Sequence, residues 1–313
     1  MKKKWLRRGL AAVLGVIFLV SVFMLGLQTW QNRLSDEADA EAAELVKLPE
    51  LPAVSLSPKA SPTGGETPGT EESQTPVEPV ELESMGEDPY AQALREMDFT
   101  ALQEVNPDVV GWLVIPGTGI SYPLLQGATN QTYLRHTWRG EYSTRGSVFI
   151  DSQCSRSLTD FHTIVYGHRM RNGTMFAPLA NYGSESYRQA HPCVYIATNS
   201  GTYRYEIFAV YETSTGTSTY QLGMSSAATR QSFLDDCRGR SVLDTGLAPT
   251  PEDRILTLST CTTANDSTRL VVQAVLWGER EEEESPEAEP LETVAPENAP
   301  EEAEPLTTDA AGG

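Results

Sequence analysis

The sequence predicts a mainly β domain over residues 88–278, with eight strands arranged as a barrel or a sandwich. Eight short runs rich in β-branched and aromatic residues follow Asn106, and Gly, Pro, Asn or Ser separates one run from the next. This alternation is typical of strands joined by turns. Eight such runs favour a closed or two-layered sheet. The runs are VVGWLVI, ISYPLLQ, GSVFID, TIVYG, CVYIAT, TYRYEIFAVYET, RILTLST and RLVVQAVLW.

The distribution of charge confines the folded region to the centre of the chain. Of the 43 acidic residues, 13 precede residue 88 and 13 follow residue 278, so the net charge of −20 belongs mostly to the flanks. The central stretch has 17 acidic residues against 14 Arg and no Lys. A stretch of about 190 residues with ordinary apolar content can bury one core. Nucleic acid is excluded as a partner, because phosphate binding requires a basic face.

The N-terminus has the pattern of a membrane anchor, with a basic tail over residues 1–8 and a transmembrane helix over residues 9–29. Leu10 to Leu27 form 18 consecutive residues without a charge. At about 1.5 Å per residue, such a helix spans the hydrocarbon of a lipid bilayer. A cleaved signal peptide is the alternative, but no small-x-small site follows the apolar run. We therefore expect a single-pass protein of the cell membrane.

The charges around this segment predict its orientation. Five Lys and Arg residues precede the apolar run, and only Arg33 closely follows it. The positive-inside rule then places the N-terminus in the cytoplasm and the folded domain outside the cell.

Two flanking segments are predicted to be disordered. Residues 30–87, which we expect to form an extracellular linker, are rich in Glu, Pro, Ser and Thr, and residues 279–313 form an acidic tail without aromatic residues. Such segments cannot bury enough apolar surface to offset the entropy of ordering. For residues 36–46 the alternative is an outward continuation of the anchor helix.

Helices are predicted at two places around the strands. The stretch DPYAQALREMDFTALQEV opens the domain at Asp88 with good helix formers and an Asp-Pro start, which predicts one or two short helices. Between the sixth and seventh strands, SSAATRQSFLDDCRG predicts a helix with a Ser cap and a Gly stop. Cys237 near its end is expected to be a small packing residue.

Three residues whose side chains could take part in catalysis lie at predicted strand ends. His168 follows a strand in VYGHRM, Cys261 ends one in TLSTC, and Arg269 begins the next strand after the short loop TTANDST. Strand ends are where a rigid scaffold presents reactive side chains. The three residue types are compatible with acyl transfer, although His168 and Cys261 are 93 residues apart and spacing alone does not link them.

These motifs, taken together, resemble the sortase family. VYGHRM with NGTMFAPLANY, TLSTC and RLVV resemble sortases in general, whereas NPDVVGWLVIPGTGISYPLLQG with GSVFID resembles the class B branch. The resemblance covers nearly all of residues 88–278. It implies an eight-stranded sortase-type β-barrel with N-terminal helices and a helix in the loop between strands six and seven. The acidic tail and the compact loop before Arg269 depart from the family pattern.

The resemblance also implies roles for the site residues. Cys261 is expected to be the nucleophile, because a thiolate forms a thioester that an amine readily attacks. His168 is expected to act as general acid and base, since its reference pKa of about 6.5 lets it hold and donate a proton. Arg269 is expected to orient the substrate and stabilise the oxyanion. In the family, the position of Thr260 approaches the substrate backbone, so Thr260 is a candidate substrate-binding residue.

The implied activity is transpeptidation at the cell surface. A sortase of this class cleaves a sorting motif of the x-P-x-T-x type after Thr, expected here as (N/S/L)-P-x-T-(G/N), and transfers the acyl group to a peptidoglycan amine. The expected partners are a secreted protein with a C-terminal sorting signal and a peptidoglycan precursor or cross-bridge. Two alternatives are an exported cysteine peptidase, which uses water as the final acceptor, and a non-enzymatic surface module with Cys261 packed.

The other candidate ligands and thiols are expected to have structural roles. No metal-ligand spacing or acidic calcium cluster is found in the central region, so the reaction is expected to need no cofactor. The other cysteines lack C-x-x-C spacing. We expect Cys154 to be an exposed loop thiol, and Asp266 to orient Arg269 or cap its loop. The remaining histidines, His136, His162 and His191, are interpreted as structural. If one of them lines the site, we expect it to be His136.

Overall fold

A computed structural model describes residues 2–49, 88–261 and 267–277 of the chain. Eight strands close into a barrel in the order β1-β2-β3-β4-β7-β8-β6-β5. Each predicted run overlaps one strand, so the mainly β, eight-stranded prediction is confirmed. The strands are β1 (Val109–Ile115), β2 (Ile120–Leu125), β3 (Val148–Ile150), β4 (His162–Tyr166), β5 (Cys193–Thr198), β6 (Gly201–Ser214), β7 (Ile255–Cys261) and β8 (Thr268–Leu276).

Two of the strand pairs are parallel and the other six are antiparallel. The parallel pairs are β2 with β3 and β4 with β7. In the second of them, the register runs from His162 opposite Ile255 to Tyr166 opposite Ser259. Strands β7 and β8 form an antiparallel pair that ends with Cys261 opposite Arg269. The carboxyl ends of β4 and β7 therefore lie together at one end of the barrel, next to the start of β8.

Side chains alternate between the two faces of the barrel wall, as the period of a strand requires. In β7, Leu256 and Leu258 belong to the cluster that fills the barrel, whereas Ile255 belongs to a second cluster outside it. In β8, Val272 faces the barrel interior and Val271 faces outward in the same way. Odd-numbered positions of β7 therefore lie on the outer face of the wall.

Short helices open the domain, as predicted. Helix α2 spans Pro89–Arg95 and helix α3 spans Thr100–Val105. The Asp88 carboxylate accepts hydrogen bonds from the backbone N–H of Tyr90 at 2.9 Å and of Ala91 at 3.2 Å, and so caps α2. A further short helix, α4, spans Glu185–Ala190 before β5.

The helix predicted between β6 and β7 is present, but its end differs from the prediction. Helix α5 spans Ala227–Arg240, and Ser226 caps it by accepting from the Thr229 N–H at 3.2 Å. Cys237 is fully buried, which confirms its packing role. The predicted Gly stop is wrong, because Gly239 lies inside the helix and not in the left-handed conformation that ends helices at glycine.

The N-terminal helix is longer than predicted. Helix α1 runs without interruption over Lys2–Leu45, and it contains an apolar window of mean hydropathy 2.1 with no buried residue, which makes it a candidate membrane span. The predicted disordered linker is therefore wrong for residues 30–45, and the alternative of a continued helix is correct. The rest of the linker, from residue 50, and the predicted acidic tail lie outside the described residues.

The last turns of α1 are helical because they pack on the barrel domain. Four residues at helical spacing are buried there: Ser35, Ala38, Ala42 and Val46. The indole N–H of Trp138 donates to the Ala38 carbonyl at 2.6 Å. The Arg145 guanidinium forms ion pairs with Asp36 and Asp39. Residues 35–46, called the α1 extension below, are thus part of the folded domain.

One core histidine, His162 in β4, is buried and neutral. Its Nδ1 lies 2.9 Å from the Gln221 carbonyl, and its Nε2 lies 2.8 Å from Thr257 Oγ1. Burial lowers the pKa of His162 from 6.5 to about 4, and the Gln221 carbonyl opposes this only in part. His162 is structural, as expected from the sequence.

The shifted pKa of His162 predicts a loss of stability in acid. The unfolded chain takes up a proton below about pH 6.5, whereas the folded chain resists protonation until about pH 4. The free energy of unfolding is therefore expected to fall by about 3 kcal/mol between these pH values. Denaturant titrations of the full chain in detergent at several pH values test this. The variant His162→Gln should flatten the dependence, and an unchanged slope would contradict the assignment.

A close backbone approach at Gly111 predicts a second effect on stability. A Cβ at this position would lie 2.0 Å from the Ala197 carbonyl oxygen of the paired strand. Gly111→Ala should therefore lower the free energy of unfolding by about 2 kcal/mol or more. Gly183→Ala is the matched control, because a Cβ there meets nothing within 4 Å. Equal stability of the two variants in thermal unfolding would refute the close-contact explanation.

Candidate active site

A cavity of about 370 Å³ opens at the end of the barrel where β4 and β7 finish. Three of the four residues singled out from the sequence line it, namely His168, Thr260 and Arg269. The fourth, Cys261, is the residue after Thr260 and the last residue of β7. Backbone topology therefore brings all four predicted positions to one place.

Strand register explains how residues so distant in sequence meet. Beyond the last β4–β7 pair, Tyr166 opposite Ser259, the Gly167 N–H still donates to the Ser259 carbonyl at 3.2 Å. His168 and Cys261 each come two residues after this last pair in their own segment. On the other side of β7, Arg269 is the direct cross-strand partner of Cys261. The three positions thus come from three adjacent chain segments.

Strand alternation places Ser259 and Arg269, which line the cavity, on the outer face of the barrel wall. Ser259 shares the face of Ile255, opposite to the barrel-filling Leu258, and Arg269 shares the face of Val271. Ser259 Oγ lies 3.0 Å from the Tyr220 hydroxyl, which belongs to the loop between β6 and β7. Both residues line the cavity. The loop that carries α5 thus forms one wall of the cavity.

The imidazole of His168 is held by a backbone carbonyl. Its Nε2 lies 2.8 Å from the Leu134 carbonyl oxygen, which can only accept a hydrogen bond, so Nε2 carries a proton. The Phe176 N–H donates to the His168 carbonyl at 2.9 Å and fixes the backbone of the same residue. The side chain is half-buried at the cavity wall. This arrangement leaves Nδ1 as the nitrogen that can exchange a proton.

A buried carboxylate supports the opposite wall of the cavity. Asp151 Oδ2 accepts from Asn130 Nδ2 at 2.8 Å and from the Tyr166 hydroxyl at 2.9 Å. Asp151 Oδ1 accepts from the Gln153 N–H at 3.0 Å. Burial and then the Asp151 charge raise the pKa of Tyr166, so this hydroxyl stays protonated and donating. Sequence analysis missed this network, although the Asp that ends the GSVFID run was its one visible signal.

Thr260 and Arg269 occupy neighbouring parts of the cavity lining. Thr260 is buried, and its Oγ1 makes no hydrogen bond within the described part of the chain. Arg269 is half-buried, and its Nη1 donates to the Thr268 carbonyl at 3.3 Å. Asp266, the suggested partner of Arg269, lies outside the described residues.

Two further histidines lie away from the cavity. His136 does not line it; its Nδ1 lies 2.7 Å from the Thr132 carbonyl, and its ring packs edge-on against Tyr142. The ring of His191 is fixed by the Pro116 carbonyl, 2.8 Å from Nδ1.

The three cysteines with described side chains are all buried. The expectation of an exposed Cys154 is wrong, since this residue is 7% exposed and packs in the core inside the barrel. Burial raises the pKa of the Cys154 thiol to about 12 and that of Cys237 to about 11. Burial also raises the pKa of Cys193. All three thiols are therefore poor nucleophiles near neutral pH. Within the described ranges, no three His, Cys, Asp or Glu side chains cluster as metal ligands would.

A barrel of this topology with Cys, His and Arg at neighbouring strand ends is the arrangement that the sequence resemblance implied. The sortase domain family model matches residues 113–277, and the chain belongs to the sortase family. It is accordingly a cysteine transpeptidase.

Individual relatives define the branch of the family. Sortase B of Staphylococcus aureus is 35% identical over 178 residues, which cover 56% of this chain and 73% of that protein. Sortase B of Listeria monocytogenes is 38% identical over 177 residues, which cover 56% of this chain and 72% of that protein. The structure of a Staphylococcus aureus sortase B–substrate complex matches with a TM-score of 0.55 and 33% identity, over 58% of this chain and 85% of that one. The chain is of class B.

Asp151 is predicted to affect the rate of peptide cleavage without taking part in the reaction. In Asp151→Asn, an amide nitrogen replaces one of the two acceptor oxygens, so either Asn130 and Tyr166 or the Gln153 N–H loses its acceptor. We expect kcat/KM for peptide cleavage to fall about tenfold, as a displaced cavity wall would cause. Asp235→Asn, an exposed change on α5, is the matched control. Equal activities of the two variants would show that the network does not shape the site.

Proposed function

We propose that this protein is a membrane-anchored class B sortase that cleaves a sorting motif after Thr through a thioester on Cys261. The acyl group is then transferred to a peptidoglycan amine. The observation that supports this most directly is the register of β7 with β4 and β8, which pairs Tyr166 with Ser259 and Arg269 with Cys261 beside the cavity that His168 and Arg269 line.

Cys261 is the proposed nucleophile. Its sulfur attacks the carbonyl carbon of the motif Thr, and the C–N bond to the next residue breaks once the tetrahedral intermediate collapses. The products of this step are a thioester on Cys261 and a free amine from the leaving segment. The described thiols elsewhere in the chain are buried, which leaves this strand end as the position suited to such chemistry.

His168 is the proposed acid and base. As an imidazolium it gives the Nδ1 proton to the leaving nitrogen, and as a neutral ring it takes a proton from the incoming amine. The Leu134 carbonyl suits both steps, because it keeps the proton on Nε2 and so reserves Nδ1 for the exchange. The ring therefore needs no rotation between the two half-reactions.

Arg269 is the proposed electrostatic partner of the transition state. A guanidinium remains charged throughout the pH range of the reaction and offers several N–H donors to an oxyanion. Because Arg269 lies opposite Cys261 in the β7–β8 pair, we expect its guanidinium to reach the oxyanion formed there. Thr260, at the cavity wall, is proposed to contact the substrate backbone.

The proposed substrates follow from the class. The Staphylococcus aureus relative was solved with a substrate bound, and we extend to this chain a secreted protein with a C-terminal signal of the form (N/S/L)-P-x-T-(G/N). The proposed acceptor is an amine of a peptidoglycan precursor or cross-bridge. Its attack on the thioester forms an amide and returns the thiol of Cys261, so the enzyme is unchanged at the end.

The cell membrane is the proposed location. The apolar part of α1 is long enough to span a bilayer, and the basic residues before it favour a cytoplasmic N-terminus. The barrel domain then lies outside the cell, where sorting signals and peptidoglycan amines are available.

Product analysis of the full chain in detergent tests this proposal. A panel of x-P-x-T-x peptides is incubated with an amine acceptor, and the products are identified by mass. We expect cleavage after Thr, an amide adduct with the amine, and at least a thousandfold loss in Cys261→Ala and His168→Ala. Cys237→Ala, which removes a buried thiol on α5, should retain activity.

Other results would contradict parts of the proposal. Hydrolysis without any amide adduct at high amine concentration would indicate a cysteine peptidase. Full activity in Cys261→Ala would remove the assigned nucleophile. Absence of both product and thioester across the panel would favour a surface module without enzymatic activity.

A further inference from the structure

We propose that Arg145 is a positioning residue for the reaction, and that the α1 extension acts on the active site through it. Held by Asp36 and Asp39, Arg145 keeps the Leu134 carbonyl in place as the hydrogen-bond acceptor for His168. This inference rests on the proposed function, since it depends on the role of His168 as acid and base.

Arg145 is buried and paired with two carboxylates. Its side chain is only 4% exposed, and its Nη1 and Nη2 atoms contact Asp36 and Asp39 respectively. A guanidinium cannot give up its charge, so a buried one requires carboxylates at fixed positions. Both carboxylates come from α1, one helical turn apart. The position of Arg145 is therefore set by the helix and not only by its own loop.

The residue that follows Arg145 in the chain adjoins the carbonyl that holds His168. The next residue, Gly146, has a φ of +60°, and a Cβ there would lie 2.6 Å from the Leu134 oxygen. The Ser147 N–H donates to the Tyr133 carbonyl at 3.0 Å. The chain after Arg145 thus lies beside the carbonyl oxygen of Leu134. Movement of Arg145 would move this carbonyl.

A second chain of contacts reaches the backbone of His168. The Arg145 guanidinium lies 5.8 Å above the Tyr122 ring, and the Tyr122 hydroxyl accepts from the Met175 N–H at 2.9 Å. The following residue, Phe176, donates to the His168 carbonyl at 2.9 Å. Arg145 therefore supports both the ring and the main chain of the proposed acid and base.

A neighbouring ion pair provides a matched comparison. Glu41 of the α1 extension pairs with Arg139 at 3.0 Å, and the two side chains are 43% and 33% exposed. Exposed pairs of this kind contribute little. Glu41→Gln therefore removes a carboxylate from the same helix and the same interface without leaving a charge buried.

The experiment compares variants of the full chain in detergent at a temperature where all are folded. Asp36→Asn with Asp39→Asn should lower kcat about tenfold or more with little change in KM, because a small displacement of a reacting group has a large effect on rate. Asp39→Asn alone is the milder variant, should the double variant fold poorly. The kcat of Arg145→Lys should lie between that of Asp39→Asn and that of the wild type, because an ammonium lacks the planar fork of a guanidinium. Glu41→Gln should behave as wild type.

Nitrogen NMR of the His168 ring separates positioning from a purely structural role. In the wild type we expect a single tautomer with the proton on Nε2, and in the Asp36/Asp39 variant a mixture with Nδ1-protonated ring. An unchanged tautomer together with unchanged kcat would overturn the proposal, as would an equal loss of kcat in Glu41→Gln. Because the NMR signal does not depend on turnover, this outcome is distinguishable from failure of the proposed function, which would show as absence of product or as product formation independent of Cys261.

Discussion

The parallel pairing of β4 with β7 is the constraint on which the site depends. Parallel neighbours end at the same edge of a sheet, so the residues just past β4 and at the end of β7 meet without any contribution from loop length. The antiparallel β8 then returns to the same edge and adds Arg269 opposite Cys261. Closure of the barrel fixes this register, because a shift of one residue would turn the side chains of the whole strand to the wrong face.

The strands and the positions that meet at the cavity were predictable from the sequence because both leave local signals. β-Branched runs between turn residues marked each strand, and the motifs around His168, Cys261 and Arg269 carried the family resemblance. What spacing alone did not give was the meeting of residues 93 positions apart, since that depends on long-range strand order. The Asp151 network was missed for the same reason: its partners Asn130 and Tyr166 come from different segments.

The errors of prediction arose where tertiary contacts override local composition. The segment after residue 30 has an acidic, polar sequence typical of a linker, yet Ala38 and Ala42 are buried against the barrel domain. Cys154 lies in a loop, but that loop folds into the core. For the helix, the deciding contacts are with residues about 100 positions away, such as Trp138. For the thiol, they are with the barrel interior. The α1 extension thereby becomes part of the folded domain.

Labelling of thiols in the native chain tests whether the end of β7 presents the reactive cysteine of the site. The full chain in detergent is treated with a small thiol-alkylating reagent, and the adducts are counted by intact mass and located by peptide mapping. We expect one adduct per native chain, at Cys261, with four after denaturation and none in native Cys261→Ala. Labelling of another cysteine in the native chain, or an adduct that persists in Cys261→Ala, would contradict it.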